Sequence, residues 1–230
     1  MRIDIITCVP ALLESPFAHS MVKIAQEKGC ANIHIHDLRE YGQGNYRRID
    51  DAPFGGEAGM VMMIEPIDNC IADLKKNRNY DAIIYMTPDG KRLEQGVVNQ
   101  FSLLENIIIL CGHYKGVDQR VRDNLVTDEY SIGDYVITGG ELSSLVIADS
   151  VIRLIPGVLN NIESAETDSF ESNLLDCAYY TRPEVYRDLK VPEILLSGHH
   201  EKIEEWKLKL KKEKTKKHRP DLWVKYKNEN

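Results

Sequence analysis

The sequence holds no uninterrupted apolar run near the roughly 18 residues that a membrane-spanning helix needs, so no membrane partner is expected. Its five cysteines, Cys8, Cys30, Cys70, Cys111 and Cys177, are an odd number and include no C-x-x-C pair. That pattern argues against a disulfide framework and against a thiolate zinc site, and reads as reduced, mostly buried thiols. Phosphate-cradling signatures are missing too: there is no G-x-x-x-x-G-K-[ST], and no G-x-G-x-x-G follows the first strand. The first residues carry Asp4 inside an apolar stretch and lack a small-residue cleavage site, so they read as a strand rather than a signal peptide, with a cytoplasmic address expected. Internal repeats and low-complexity segments are absent.

What remains is an ordinary soluble composition. The chain has 230 residues, 43% hydrophobic and 28% charged, which is ample to bury a core. Its net charge of −7 conceals a split. Residues 201–230 hold 11 Lys+Arg against 6 Asp+Glu, a net +5, leaving −12 for the first 200. Eight of those basic residues fall between Lys207 and Arg219. A basic helical arm on an acidic body suits phosphate contact with a nucleic acid, and equally suits a solvated helix face.

Apolar runs rich in β-branched residues at 2–9, 31–38, 81–86 and 106–111, with a more polar one at 126–132, predict strands. Helical patterns at 20–28, 65–77, 92–101, 117–125 and 141–154 lie between or after them. This alternation predicts an α/β layer with a mostly parallel sheet, its central strands at 81–86 and 106–111. The reading divides the chain into a domain at 1–159, a flexible acidic linker at 160–171 and a small helical domain at 172–230. In the last, a helix over about 201–217 places Ile203, Trp206 and Leu210 on one face.

Ten of the fifteen glycines fall in three short segments, 42–59, 112–116 and 133–140. The last two follow predicted strands, where open α/β sheets place ligands, although turn glycine is the plainer reading of any single loop. His34 and His36 alternate on a predicted strand and read as a solvated face. His199 and His200 lack a third ligand at useful spacing, so no metal site is expected. Trp206 and Trp223 suit core or domain-docking roles as readily as base stacking.

The runs Phe54-Gly55-Gly56, Cys111-Gly112-His113-Tyr114, Ser131-Ile132-Gly133-Asp134-Tyr135-Val136, Thr138-Gly139-Gly140-Glu141-Leu142, Arg153-Leu154-Ile155-Pro156-Gly157, Asp168-Ser169-Phe170 and Tyr180-Thr181-Arg182-Pro183 stand in order along the chain. Together they resemble the bacterial tRNA (guanine-N1)-methyltransferase family, over about residues 1–220. The resemblance implies a SPOUT-type α/β domain with a C-terminal trefoil knot, and S-adenosylmethionine as methyl donor. It also implies tRNA as substrate, methylated at N1 of the guanosine 3′ of the anticodon (position 37). By the family pattern the cofactor lies against Tyr85, Pro88, Gly112, Ile132, Gly133, Asp134, Tyr135, Val136, Ile137, Gly139 and Gly140. Asp168 matches the family's general base, and Arg153 its catalytic arginine, which would stabilise charge on O6 of guanine. A homodimer with its active site at the subunit interface is implied as well.

The sequence departs from the pattern at His113 and Lys115, where the family often has Arg and Glu, and at Glu57, a position often occupied by glycine. Lys115 inverts the charge of a carboxylate that would lie near the cofactor or a magnesium ion, which leaves Mg2+ dependence open. Two other readings compete: a SPOUT enzyme acting on another RNA base or ribose, and a non-catalytic RNA-binding protein.

Overall fold

The computed structural model describes residues 1–159, 168–170 and 172–229. The chain divides into two compact units, Met1–Asn160 and Asn161–Asn230. In chain order the first unit runs β1 (Arg2–Thr7), α1 (Ala11–Phe17), α2 (Ser20–Glu27), β2 (Asn32–Asp37), a 3₁₀ turn (Leu38–Tyr41), β3 (Asp50–Asp51) and β4 (Val61–Met62). It continues with α3 (Ile64–Lys75), β5 (Ala82–Arg92), α4 (Gln95–Phe101), β6 (Asn106–Cys111), α5 (Gln119–Asn124), β7 (Asp128–Ser131) and α6 (Glu141–Ile152).

Five strands form one sheet in the order β2-β1-β6-β5-β7, with every neighbouring pair parallel. The runs that are apolar throughout occupy interior positions because both their faces are covered. Ile3 and Ile5 of β1, Ala82, Ile84 and Met86 of β5, and Ile107 and Ile109 of β6 point to one side, where α1, α2, α4 and α6 contribute Leu13, Val22, Val98 and Val151. The alternate residues Ile6, Ile83, Ile108 and Leu110 point to the other, against Ile67 and Ile71 of α3 and Val121 of α5. Period-two side-chain direction thus turns continuous apolar runs into a three-layer α/β/α unit.

Three local readings are corrected. β5 continues to Arg92, past the expected end at Met86, because Thr87, Pro88, Asp89 and Gly90 are looped out between Met86 and Lys91, which both pair with Tyr130 of β7. Pro88 has no N–H to give a ladder, so the break falls there, and α4 starts at Gln95 rather than at 92. α1 is an element that the sequence reading does not include; it forms with Pro16 near its end and buries Leu13 and Phe17. His34 is exposed on edge strand β2 as expected, but His36 is not simply solvated: it is bonded to buried Asp4.

The second unit holds a two-residue-per-strand hairpin, β8 (Val185–Tyr186) and β9 (Leu189–Lys190), then α7 (Glu193–Leu196), α8 (His200–His218) and α9 (Pro220–Glu229). Ile203, Trp206 and Leu210 on α8 are half-buried. Pro220 opens α9 at the position where a missing N–H costs nothing, and Trp223 stacks on Tyr226 at 5.6 Å. Ser169 and Phe170, within the stretch expected to be linker, are bonded into this unit: Asp176 N donates to Ser169 Oγ at 2.9 Å and Phe170 N to Leu174 O at 2.9 Å. Apart from Asp168, the rest of that expected linker lies outside the described residues. No helix among the described residues is long and apolar enough to cross a membrane.

Candidate cofactor site

The site is built where three adjacent parallel strands end. The loop-out of β5, the segment after β6 and the segment after β7 converge beyond the sheet's carboxyl edge, the usual ligand position in open α/β sheets. They enclose a cleft lined by ten of the eleven expected cofactor residues: Tyr85, Pro88, Gly112, Ile132, Gly133, Tyr135, Val136, Ile137, Gly139 and Gly140. Asp134 is not among the lining residues.

Backbone hydrogen bonds hold these segments together. Gly140 N donates to Gly112 O at 2.7 Å, and His113 bridges to Gly139 in antiparallel fashion. A Cβ at Gly140 would stand 2.7 Å from both Cys111 Cα and Gly112 N, so only glycine lets the start of α6 approach the end of β6 this closely. Gly133 has φ +152°, and a Cβ there would meet the Tyr135 ring at 2.5 Å. Ser131 fixes the same loop, its hydroxyl donating to Gly133 O at 3.0 Å and accepting from Gly133 N at 3.2 Å. Ser143 and Ser144 hydroxyls donate to Gly140 O at 2.8 and 2.7 Å, tying the turn to α6.

Tyr85 is buried, and burial raises its phenol above the ordinary range, so it presents a neutral aromatic face. Arg122 of α5 lies over that ring at 5.7 Å while its guanidinium forks onto Glu129 at 2.7 and 2.6 Å and reaches Asp89 of the β5 loop-out at 3.0 Å. One cation therefore fixes three parts of the site, a role that no motif in the sequence marks.

Two departures noted in the sequence meet each other. Lys115, which lines the cleft, bonds Glu57 at 3.3 Å, both side chains being well exposed. The two expected catalytic residues fall in different units: Arg153 directly follows α6 in the first, and Asp168 belongs to the second. One group that sequence spacing cannot show is Cys8, His113 and Glu141, whose ligand-type atoms all lie within 4.8 Å of one another.

The model of the tRNA (Guanine-1)-methyltransferase TrmD family matches residues 1–225. Among curated relatives, a protein of Christiangramia forsetii is 62% identical over 222 residues, 96% of this chain and 98% of its own. One of Cytophaga hutchinsonii is 58% identical over 226 residues, 98% and 96% of the two chains. One of Bacteroides thetaiotaomicron is 57% identical over 222 residues, 96% and 99%. All three carry the name tRNA (guanine-N(1)-)-methyltransferase.

Proposed function

Because the chain belongs to the tRNA (guanine-1)-methyltransferase family, we propose that it transfers the methyl group of S-adenosylmethionine to N1 of the guanosine 3′ of the anticodon, position 37, in tRNA. The observation that carries this reading is the cleft at the carboxyl edge of β5, β6 and β7. Its chemistry fits the cofactor. Tyr85, Ile132 and Ile137 offer flat and apolar cover for an adenine, and backbone N–H and C=O groups of the segments after β6 and β7 can read its polar edge. When bound, S-adenosylmethionine supplies an already activated methyl group.

The protein's own work is then deprotonation, charge stabilisation and alignment. N1 of guanine carries a proton, and its lone pair is unavailable until that proton leaves. Asp168 accepts it, and Arg153 faces the negative charge that spreads onto O6. The site is completed across a homodimer, the cofactor loops of one subunit working with Asp168 of the other. The exposure of Leu142 and Val146, at i and i+4 on α6, supports such an apolar contact, since a helix apolar on all sides is normally buried. The fold of the cofactor loops is read as the SPOUT trefoil knot, and the place of action as the cytoplasm. Lys115 puts a cation where the family pattern has a carboxylate, and it pairs with Glu57 at 3.3 Å.

Methyl transfer from labelled cofactor to unmodified tRNA, with mapping of the modified base, tests the reading. Asp168→Asn is expected to keep cofactor binding and lose at least about a hundredfold in turnover, because an amide keeps the shape but takes no proton. Label on another base or on ribose, or near-normal turnover by the variant, would contradict it.

A further inference from the structure

Cys8 follows β1, His113 follows the end of β6, and Glu141 opens α6; β1 and β6 are paired neighbours, so their carboxyl ends lie side by side. The bridge from His113 to Gly139 and the bond from Gly140 N to Gly112 O then bring the start of α6 onto the same spot. Cys8 and Glu141 are buried, at 6% and 2% exposure. Their sulfur and carboxylate, with a nitrogen of His113, form the one grouping of three metal-ligating side chains among the described residues.

Two further observations bear on this cluster. His113 Nδ1 is the one buried side-chain polar atom without a hydrogen-bond partner among the described residues, a state that costs free energy unless something occupies it. Around Gly139 the same nitrogen and Glu141 Oε2 converge: a Cβ placed there would lie 2.7 Å from Nδ1 and closer still to Oε2. The other carboxylate oxygen, Oε1, is fixed by the Thr7 hydroxyl, which donates to it at 2.6 Å. An outer hydroxyl orienting a carboxylate is the usual support of a metal ligand.

We propose that Cys8, His113 Nδ1 and Glu141 bind a borderline divalent transition ion of the zinc class, with one coordination position left open. Thiolate, imidazole and carboxylate together suit zinc or cobalt, not magnesium, which takes oxygen ligands. Tetrahedral coordination sets ligand atoms roughly 3.3–3.8 Å apart. The observed spread of up to 4.8 Å closes with side-chain movements of about 1 Å. On binding, the Cys8 S–H bond gives way to a sulfur–metal bond and the proton leaves to solvent. The ion would clasp β1, the loop after β6 and the first turn of α6 at one point.

The test uses the full chain stripped with chelator and titrated with Co2+. One equivalent is expected to give thiolate-to-cobalt absorption in the near ultraviolet with tetrahedral visible bands, both bleached by Zn2+. Cys8→Ser should remove the charge-transfer band, and His113→Gln and Glu141→Gln should each weaken cobalt binding at least about tenfold. Wild-type protein that shows no such band with stoichiometric cobalt overturns the proposal, whatever the fate of the variants, and leaves an internal hydrogen-bond cluster. A band that persists unchanged in Cys8→Ser also overturns it, by assigning the thiolate to one of Cys30, Cys70, Cys111 or Cys177.

Discussion

Asp4 is fully buried in β1 and survives there because four bonds converge on its carboxylate. Arg2 forks onto it at 2.7 and 2.8 Å, His36 Nε2 donates at 2.7 Å and Tyr80 OH at 2.8 Å. Burial alone would raise its pKa, but the His36, Arg2 and Tyr80 bonds outweigh that and hold it well below the usual carboxylate range. A depressed folded value means that Asp4 stabilises the fold fully above its unfolded pKa, near ~3.9, and that this contribution fades as pH falls further. Asp4→Asn is expected to cost about 3–5 kcal/mol at neutral pH by removing the buried charge on which Arg2, His36 and Tyr80 converge, and to flatten the loss of stability below pH ~4. Urea titrations of both proteins across that range measure each effect. The sequence showed Asp4 as an acid in an apolar strand and placed Arg2 two residues away, on the same face. It could not show His36 or Tyr80, whose approach depends on pairing with β2 and on the start of β5. Cys8, His113 and Glu141 were hidden for the same reason, since a search for local spacings such as C-x-x-C sees only ligands that one loop supplies.

Strands were the most legible elements, because both-face burial leaves an unmistakable composition and β6 matches its apolar run at both ends. The missed elements are mostly short: α1 carries Pro16 inside it, β3, β4, β8 and β9 have two residues each, and β5 continues beyond the loop-out that contains Pro88. The residues that line the cleft beyond β5, β6 and β7 stand out in the sequence as glycine-rich motifs, whereas the bracing of that cleft by Arg122 does not. In α8 the basic run hides a division of labour. Lys211 bonds Asp176 at 3.0 Å and Lys214 donates to Asp176 O at 2.7 Å, whereas Lys216 and Lys217 are exposed. Replacing Lys209, Lys216 and Lys217 by glutamine should therefore weaken binding of all tRNAs alike and make the slope of log K against log salt less negative by about two to three. Lys211→Gln should instead lower the melting temperature. Thr215 supports the same packing, accepting from Leu175 N at 2.8 Å while donating to Lys211 O at 2.7 Å. Thr215→Val is expected to cost about 1–3 kcal/mol by orphaning a backbone donor, and Thr215→Ser clearly less, as thermal unfolding would register.

At the scale of the whole molecule, the residues assigned to catalysis are divided between units: Arg153 belongs to the first, Asp168 to the second. Co-expression of Asp168→Ala with Gly133→Trp tests whether two subunits share each site. Each homodimer should be inactive, and a purified mixed dimer should regain about half of wild-type activity, because one of its two sites carries neither defect. A verified mixed dimer that stays inactive would confine the site to one subunit. The order β2-β1-β6-β5-β7 has a further consequence, for synthesis. β1 can pair with β2 as soon as both leave the ribosome, but its other neighbour is β6, with Arg2 opposite Asn106. At ~5–20 residues per second the open edge of β1 waits roughly 5–20 s for that partner. Throughout that interval a nascent chain carries an unpaired, apolar strand edge, the kind of surface that chaperones bind and that neighbouring nascent chains can capture.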